Sequence, residues 1–273
     1  MKSKLIDTGI HDFYSQTSEN DRLKYGLGPL EFERNKELIE KFLSTQKHTI
    51  ADIGGGPGIY SEWLSKKGHK VYLIDPVEKH IEQALKKAKK SKNSFECFLG
   101  EAQKIELKNE SVDLAILHGP LYHLQKKEER IKALAEAKRI LKPGGYLLGF
   151  AINYTASTFV ALTQGVIREE GIFDMCVKEL TEGIHEAPAN MPGVLPKAYY
   201  HKPEELKNEV IESGFEAIDL FAVEGIIWLD KNYFENRANP EAKIKFEAIF
   251  KATENDRNLL ALSPHIMIAA RKN

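Results

Sequence analysis

The stretch TIADIGGGPGIY, residues 49–60, carries the densest chemical signal in the chain. An apolar, β-branched run reaches Asp52 and then falls into Gly54, Gly55, Gly56 and Gly58. A glycine-rich turn that follows a strand and opens a helix brings backbone N–H groups against a ligand and keeps side chains out of the approach. The dinucleotide fingerprint G-x-G-x-x-G fails here in both registers. Counting from Gly54, its third glycine falls on Ile59; counting from Gly56, it falls on Ser61. What stands instead is Asp-x-Gly-x-Gly-x-Gly. Further groups able to do chemistry follow at intervals: Asp75 at the end of YLID, Glu101 in LGEAQKI, and His118, Tyr122 and His123 in HGPLYHL. His185, Tyr199, Tyr200 and His201 lie in segments without a clean period.

The elements that must position these residues alternate. HTIADIG, KVYLID, FECFLG, VDLAILHG and YLLGFAI read as strands. GIYSEWLSKKG, VEKHIEQALKKAKK and EERIKALAEAKRIL read as helices, the last stopped by Pro143-Gly144-Gly145. Short connections and unbroken apolar strands mean a parallel sheet covered on both faces. A helix from about 31 to 44 precedes the first strand. The alternation breaks near Asn153, where one or two helices and a loop are expected. It resumes with a helix at KPEELKNEVIESGF, a strand at EAIDLFAVEG and a closing strand at PHIMIAARK, which brings the strands to seven. An amphipathic helix near PEAKIKFEAIFKAT falls in a second insertion, residues 226–258.

Composition narrows the function. The 273 residues suit one large α/β domain with insertions. The formal net charge of −1 gives no overall attraction to nucleic acid or anionic membrane. The lysine run in ALKKAKKSK reads as the solvated face of a helix. Two cysteines, Cys97 and Cys176, are spaced neither as a zinc knuckle nor as a redox pair, and read as reduced thiols. The N-terminal MKSKLIDTGIHDFYSQ lacks the apolar core of a signal peptide, and no apolar run approaches a bilayer span. A cytoplasmic location is expected.

The glycine loop resembles motif I of the class I S-adenosylmethionine-dependent methyltransferases. Asp75, SVDLAILHGPLYHL and EAKRILKPGGYLL fit the same family in the same order, and the likeness covers residues 32–152 best. It implies an α/β, Rossmann-like, doubly wound sheet, mostly parallel and seven-stranded, with an antiparallel C-terminal strand and helical lid insertions. One domain over 1–273 is expected: a helical cap at 1–44, a donor-binding half at 45–152, a substrate-lid insertion at 153–200, and the rest of the sheet at 201–273. The implied cofactor is S-adenosylmethionine, released as S-adenosylhomocysteine. Its site would draw on Asp52, Gly54, Gly55, Gly56 and Gly58. Asp75 with Pro76 would take the ribose, since a carboxylate can accept from both hydroxyls of a vicinal diol. Glu101 and Ala102 would lie beside the adenine. His118 would lie near the methionine end, with Tyr14, Arg22 or Arg34 reaching the donor carboxylate as a cap.

Methyl transfer from a sulfonium asks mainly for alignment, a contribution of roughly 7–11 kcal/mol. A general base matters only where the acceptor must lose a proton. His123, with Tyr122 beside it, is the expected catalytic group. His185, Tyr199 and His201 are expected to touch substrate, and no metal is expected. No Asn/Asp-Pro-Pro-aromatic sequence follows the fourth strand, and no Pro-Cys pair or cysteine cluster occurs. These absences favour a small-molecule acceptor, without nucleic acid or membrane as partner and with the oligomeric state open. A methyltransferase acting on RNA or protein, or a donor-binding protein without activity, is the alternative.

Overall fold

The computed structural model describes residues 6–191 and 193–273. The first five positions of the expected cap, and Pro192 of the expected lid, lie outside the described residues. In chain order, α1 (Thr8–Gln16), α2 (Glu19–Arg22) and α3 (Gly28–Glu40) lead into the sheet. Then come β1 (Thr49–Ile53), α4 (Ile59–Lys66), β2 (Lys70–Asp75), α5 (Glu78–Lys90), β3 (Glu96–Leu99) and β4 (Val112–Leu117). After α6 (Pro120–His123), α7 (Lys127–Ile140) and β5 (Leu141–Ile152), the insertion holds α8 (Ala156–Gln164), α9 (Ile172–Glu182), β6 (Ile184–Glu186) and β7 (Lys197–Tyr199). α10 (Pro203–Glu212), β8 (Glu216–Ala222), α11 (Tyr233–Ala238), α12 (Pro240–Thr253) and β9 (His265–Arg271) complete the chain.

The strands order as β3-β2-β1-β4-β5-β9-β8, parallel except β9, which runs antiparallel to β5 and β8. The expected mostly parallel seven-stranded sheet is therefore present. Successive side chains of a strand point to opposite faces. Thus Ala51 and Ile53 enter a core under α7 and α10, while Ile50 enters one with Leu38, Leu64 and Ala84 of α3, α4 and α5. Strands buried on both faces explain the unbroken apolar runs of β1 and β4. The strand order reverses between β1 and β4, and a crevice opens outside the carboxyl ends at such a switch point.

Three local readings change. The first helix spans 28–40 rather than 31–44, and two shorter helices precede it. The Asp7 side chain caps α1, accepting from the Gly9 and Ile10 N–H groups. The Pro143-Gly144-Gly145 turn lies inside β5, whose register slips between Val112 and Leu114. The insertion adds a small hairpin, β6–β7, too short to show a period in sequence. The neck of the insertion is tied. Asn153 and His201 form a bridge, the His201 N–H donating to Ile152 O at 2.8 Å and the Tyr154 N–H to His201 O at 3.1 Å. Cys97 and Cys176 are free. Among the described residues, no helix is long and apolar enough to cross a membrane.

Candidate functional site

A cleft of about 350 Å³ opens over the carboxyl ends of the parallel strands, within the usual size range of ligand sites. Its floor is the turn after β1, its far walls follow β2, β3, β4 and β5, and α1 to α3 form its roof.

The glycines of the turn have different reasons to be glycine. A Cβ on Gly54 would stand 2.1 Å from the His118 carbonyl oxygen, and one on Gly55 2.6 Å from Asp52 Oδ2. Gly58 (φ +81°) begins α4 against Phe95, Ala84 and Leu73. Those three positions are fixed by the protein's own packing. Gly56 (φ +55°) is open: the nearest atom to its Cβ would be Glu19 Cγ at 3.9 Å, so a side chain there would enter the cleft. Asp52 is fully buried and lies behind the loop, accepting from Ser61 Oγ at 2.7 Å with His118 Nδ1 at 3.5 Å. It shapes the turn rather than lining the cleft.

Asp75 sits at the end of β2, 4% exposed. It accepts from the Gly56 N–H at 2.9 Å, the Val77 N–H at 2.9 Å and His80 Nδ1 at 3.1 Å. It thus ties the glycine turn to the start of α5. A carboxylate offers about four acceptor positions, so one remains for a ligand. Pro76, Glu101, Ala102, His118 and Tyr14 also line the cleft.

Other expected residues are elsewhere. Arg34 lies on the outer side of α3, pairing with Glu37 and Glu254 and stacked over Phe250. His185 is buried in the insertion between Glu179 (2.6 Å) and Leu195 O (2.7 Å), with its ring stacked on Tyr200. Tyr199 bonds Glu205 and carries Arg130 over its ring. His201 is fully buried, 3.4 Å from Glu209, which the Arg130 guanidinium binds at 2.5 Å. None of His185, Tyr199 and His201 lines the cleft; the insertion sends Gly193 and Leu195 to it instead. His185 is used inside the insertion, while Tyr199 and His201 tie the insertion to Glu205 and Glu209 of α10.

His123 and Tyr122 do line the cleft. The half-buried Tyr14 phenol is hydrogen-bonded to His123 Nε2 at 2.8 Å, and burial pushes the His123 imidazole down to about 3. It is neutral throughout the physiological range. Burial holds the Tyr122 phenol above its ordinary value.

Beyond β4 the expected His118 lines the cleft, in surroundings that the sequence did not indicate. His118 is sandwiched between Tyr60 (4.4 Å) and Phe150 (4.3 Å). Glu31 and Asn35 face the cleft from one side of α3. Burial opposes ionisation of Glu31, yet Arg22, bound at 2.7 and 2.8 Å, holds its carboxyl at about 2. His265, first residue of β9, stands opposite Ile152 at the end of β5. Its Nδ1 is 2.6 Å from Glu224 Oε1, and its own N–H donates to Glu224 Oε2 at 2.9 Å. Burial opposes the imidazolium, but Glu224 and Glu31 outweigh it and push His265 up to about 9. The helical spacing of Glu31 and Asn35 was the one available sequence signal; His265 had none.

Among the described residues, four buried side-chain atoms in these walls have no hydrogen-bond partner: Asn35 Oδ1, His80 Nε2, His118 Nε2 and His123 Nδ1. Buried polar atoms are rarely left so. A bare Gly56 and unpaired polar walls fit a polar ligand laid along the turn.

Comparison with known proteins agrees. Residues 51–149 match the family described as a methyltransferase domain. The chain is 31% identical over 120 residues to a demethylmenaquinone methyltransferase of Protochlamydia amoebophila, covering 41% of this chain and 48% of that one. It is 25% identical over 169 residues to a ubiquinone biosynthesis O-methyltransferase of Agrobacterium fabrum, covering 62% and 60%. The chain thus spans about half the length of the curated relatives it matches. Among solved structures, an S-adenosylmethionine-dependent methyltransferase of Methanosarcina mazei superposes with TM-score 0.60 at 19% identity, covering 86% of this chain and 96% of that one. A 1,6-didemethyltoxoflavin-N1-methyltransferase of Burkholderia thailandensis, holding S-adenosylhomocysteine, gives 0.52 at 15%, covering 90% and 77%. At such identities the structures show the fold. The sheet order and the glycine turn at its switch point define the class I methyltransferase architecture. Residues 51–149 thus match a methyltransferase domain, and the fold around them is that of the S-adenosylmethionine-dependent methyltransferases of known structure.

Proposed function

We propose that this chain transfers the methyl group of S-adenosylmethionine to a small-molecule acceptor. The observation that carries this reading is the two-ended cleft. One end has Gly56 and Asp75; the other is walled by Tyr60, His118 and Phe150 and roofed by α1 to α3. Donor and acceptor can share one enclosed space, which is what a direct displacement requires.

The bound donor supplies an electrophilic sulfonium methyl; the chain supplies position. Asp75 would receive one ribose hydroxyl at its remaining acceptor position, and Gly56 would leave room for the donor. Glu101 and Ala102 would flank the adenine. Tyr14, locked to His123, would close the roof and exclude water. The relatives named for demethylmenaquinone and for ubiquinone biosynthesis give an acceptor panel its first members.

Calorimetry with S-adenosylmethionine, S-adenosylhomocysteine and NAD tests the reading. Binding of the first two alone is expected. Binding of NAD alone would overturn it. Labelled methyl transfer to a panel of small hydroxyl and amine compounds follows. Transfer only to RNA or protein would overturn the small-molecule assignment.

A further inference from the structure

His265 and Asp75 mark the two ends of the cleft. They are separated by four strand spacings, about 19 Å. Because β9 is antiparallel, its first residue, not its last, reaches the cleft edge. Glu224 is fully buried, and both of its oxygens face His265 or its neighbour: Oε1 meets Nδ1, while Oε2 accepts from the His265 N–H and from Ser263 Oγ at 3.0 Å. The carboxylate therefore fixes the ring with Nδ1–H inward and Nε2 free. The His265 side chain is 29% exposed and lines the cleft. A base held by a carboxylate, with its second nitrogen open to the substrate, is the arrangement that general-base catalysis uses.

The other histidines of the cleft lack one part of this. His80 is held by Asp75 at 3.1 Å, but it lies at the Asp75 end of the cleft and its Nε2 is buried. His123 is bonded to Tyr14. His118 is 3.5 Å from its carboxylate, and its Nε2 is buried.

We propose that His265, seated by Glu224, takes the proton released when the acceptor is methylated, and that the acceptor is therefore a hydroxyl or an amine N–H. This rests on the methyltransferase reading above. The acceptor atom forms its bond to the methyl carbon as the carbon–sulfur bond breaks, with that electron pair passing to sulfur. The acceptor's proton goes to His265 Nε2. Glu224 is a positioning residue.

The charged groups facing His265 are Glu224 beyond β8, Glu31 on α3 and Arg22 on α2, with His118 beyond Glu31. The two carboxylates favour the imidazolium, and Arg22 disfavours it. The working base form grows as pH rises toward 9. A sulfonium charge in the cleft shifts the balance the same way as Arg22, so donor binding readies the base.

The test is a pH titration of the full chain with ¹³C-labelled histidine, followed by NMR, with His265 assigned by loss of its signal in His265→Asn. The expected midpoint is near 9 in the free protein. Glu224→Gln is expected to lower it by about one unit or more. The S-adenosylmethionine complex is expected to titrate below the S-adenosylhomocysteine complex. A midpoint at the ordinary histidine value that ignores Glu224→Gln overturns the proposal, as does equality of the two complexes. So does selective loss of the signal on adding manganese alone, since Glu31, Glu224 and His265 have ligand atoms within 4.8 Å of one another and would then be a cation site. With any acceptor found in the panel, His265→Ala is expected to lower kcat roughly 100-fold or more at little change in KM, with recovery on adding imidazole. Wild-type kcat in that variant overturns the proposal. Failure of the methyltransferase reading shows separately, as absence of donor binding in calorimetry.

Discussion

The insertion and the cleft each hold a histidine 2.6 Å from a glutamate, and the two pairs differ at the other nitrogen. In the insertion, His185 Nε2 is closed by Leu195 O, and the ring is stacked on Tyr200. In the cleft, His265 leaves its second nitrogen to the cavity. The same two side chains thus make a strut in one place and a reactive group in the other. A histidine bound to a carboxylate points to chemistry only when its remaining nitrogen has somewhere to act. Changes in the cleft should therefore cost ligand, and changes in the insertion should cost stability.

The largest expected effect is at Gly56. Gly56→Val should abolish donor binding in calorimetry, with a stability loss of about 1–3 kcal/mol from the left-handed backbone. Gly54→Ala, aimed at a carbonyl 2.1 Å away, should instead fail to fold. If Gly56→Val also melts the protein, the cleft is as structural as the insertion and the contrast is lost. Next, His185→Ala should cost about 3–5 kcal/mol in denaturant unfolding, because a buried, stacked ring is removed and the buried Glu179 is left with Ser157 alone. Donor affinity of the folded variant should not change; a large loss would make the insertion part of the donor site.

Asp75→Ala should weaken donor binding by about 1–3 kcal/mol. Unchanged affinity would sink the ribose assignment. A pH measurement sharpens the stability side. Burial opposes ionisation of Glu209, but Arg130 and His201 hold it at about 2, below its ordinary value. Its contribution is full above the ordinary carboxylate range and is lost as pH falls through about 2. Acid unfolding followed by circular dichroism should lose this component in Glu209→Gln. His265 has the opposite sign: its pKa is raised, so its contribution is full below the ordinary histidine value and is lost as pH rises through about 9. The smallest effect is Tyr14→Phe, which should cost about 0.5–1.5 kcal/mol of stability or donor affinity by releasing His123.

The glycine-turn end of the cleft, proposed for the donor, is legible in the sequence because its elements are local. Gly54 to Gly58 are contiguous, and Asp75 closes the next strand, so order along the chain is order in space. The opposite end, proposed for the acceptor, is assembled from distant parts. His265 arrives on a strand whose direction reverses, and nothing in PHIMIAARK says which end of it meets the cleft. Arg34 was expected at the donor but lies off the face shared by Glu31 and Asn35, one helical turn apart. His185 and His201 show the limit of residue type. Whether a histidine is a strut or a base depends on partners six and eight residues away and on burial, none of which spacing reveals.

The bridge between Asn153 and His201 makes the insertion a detachable cassette. Chain enters and leaves the sheet at one hydrogen-bonded neck, so whatever lies between can be lengthened, shortened or exchanged while β5, α10 and the donor loop keep their places. Loop closure resists this only weakly: doubling the length costs about 0.6 kcal/mol. Among the described residues, the insertion meets the cleft at Gly193 and Leu195. On the proposed reading, splicing at that neck would alter one wall of the cleft while leaving the glycine turn and Asp75 in place.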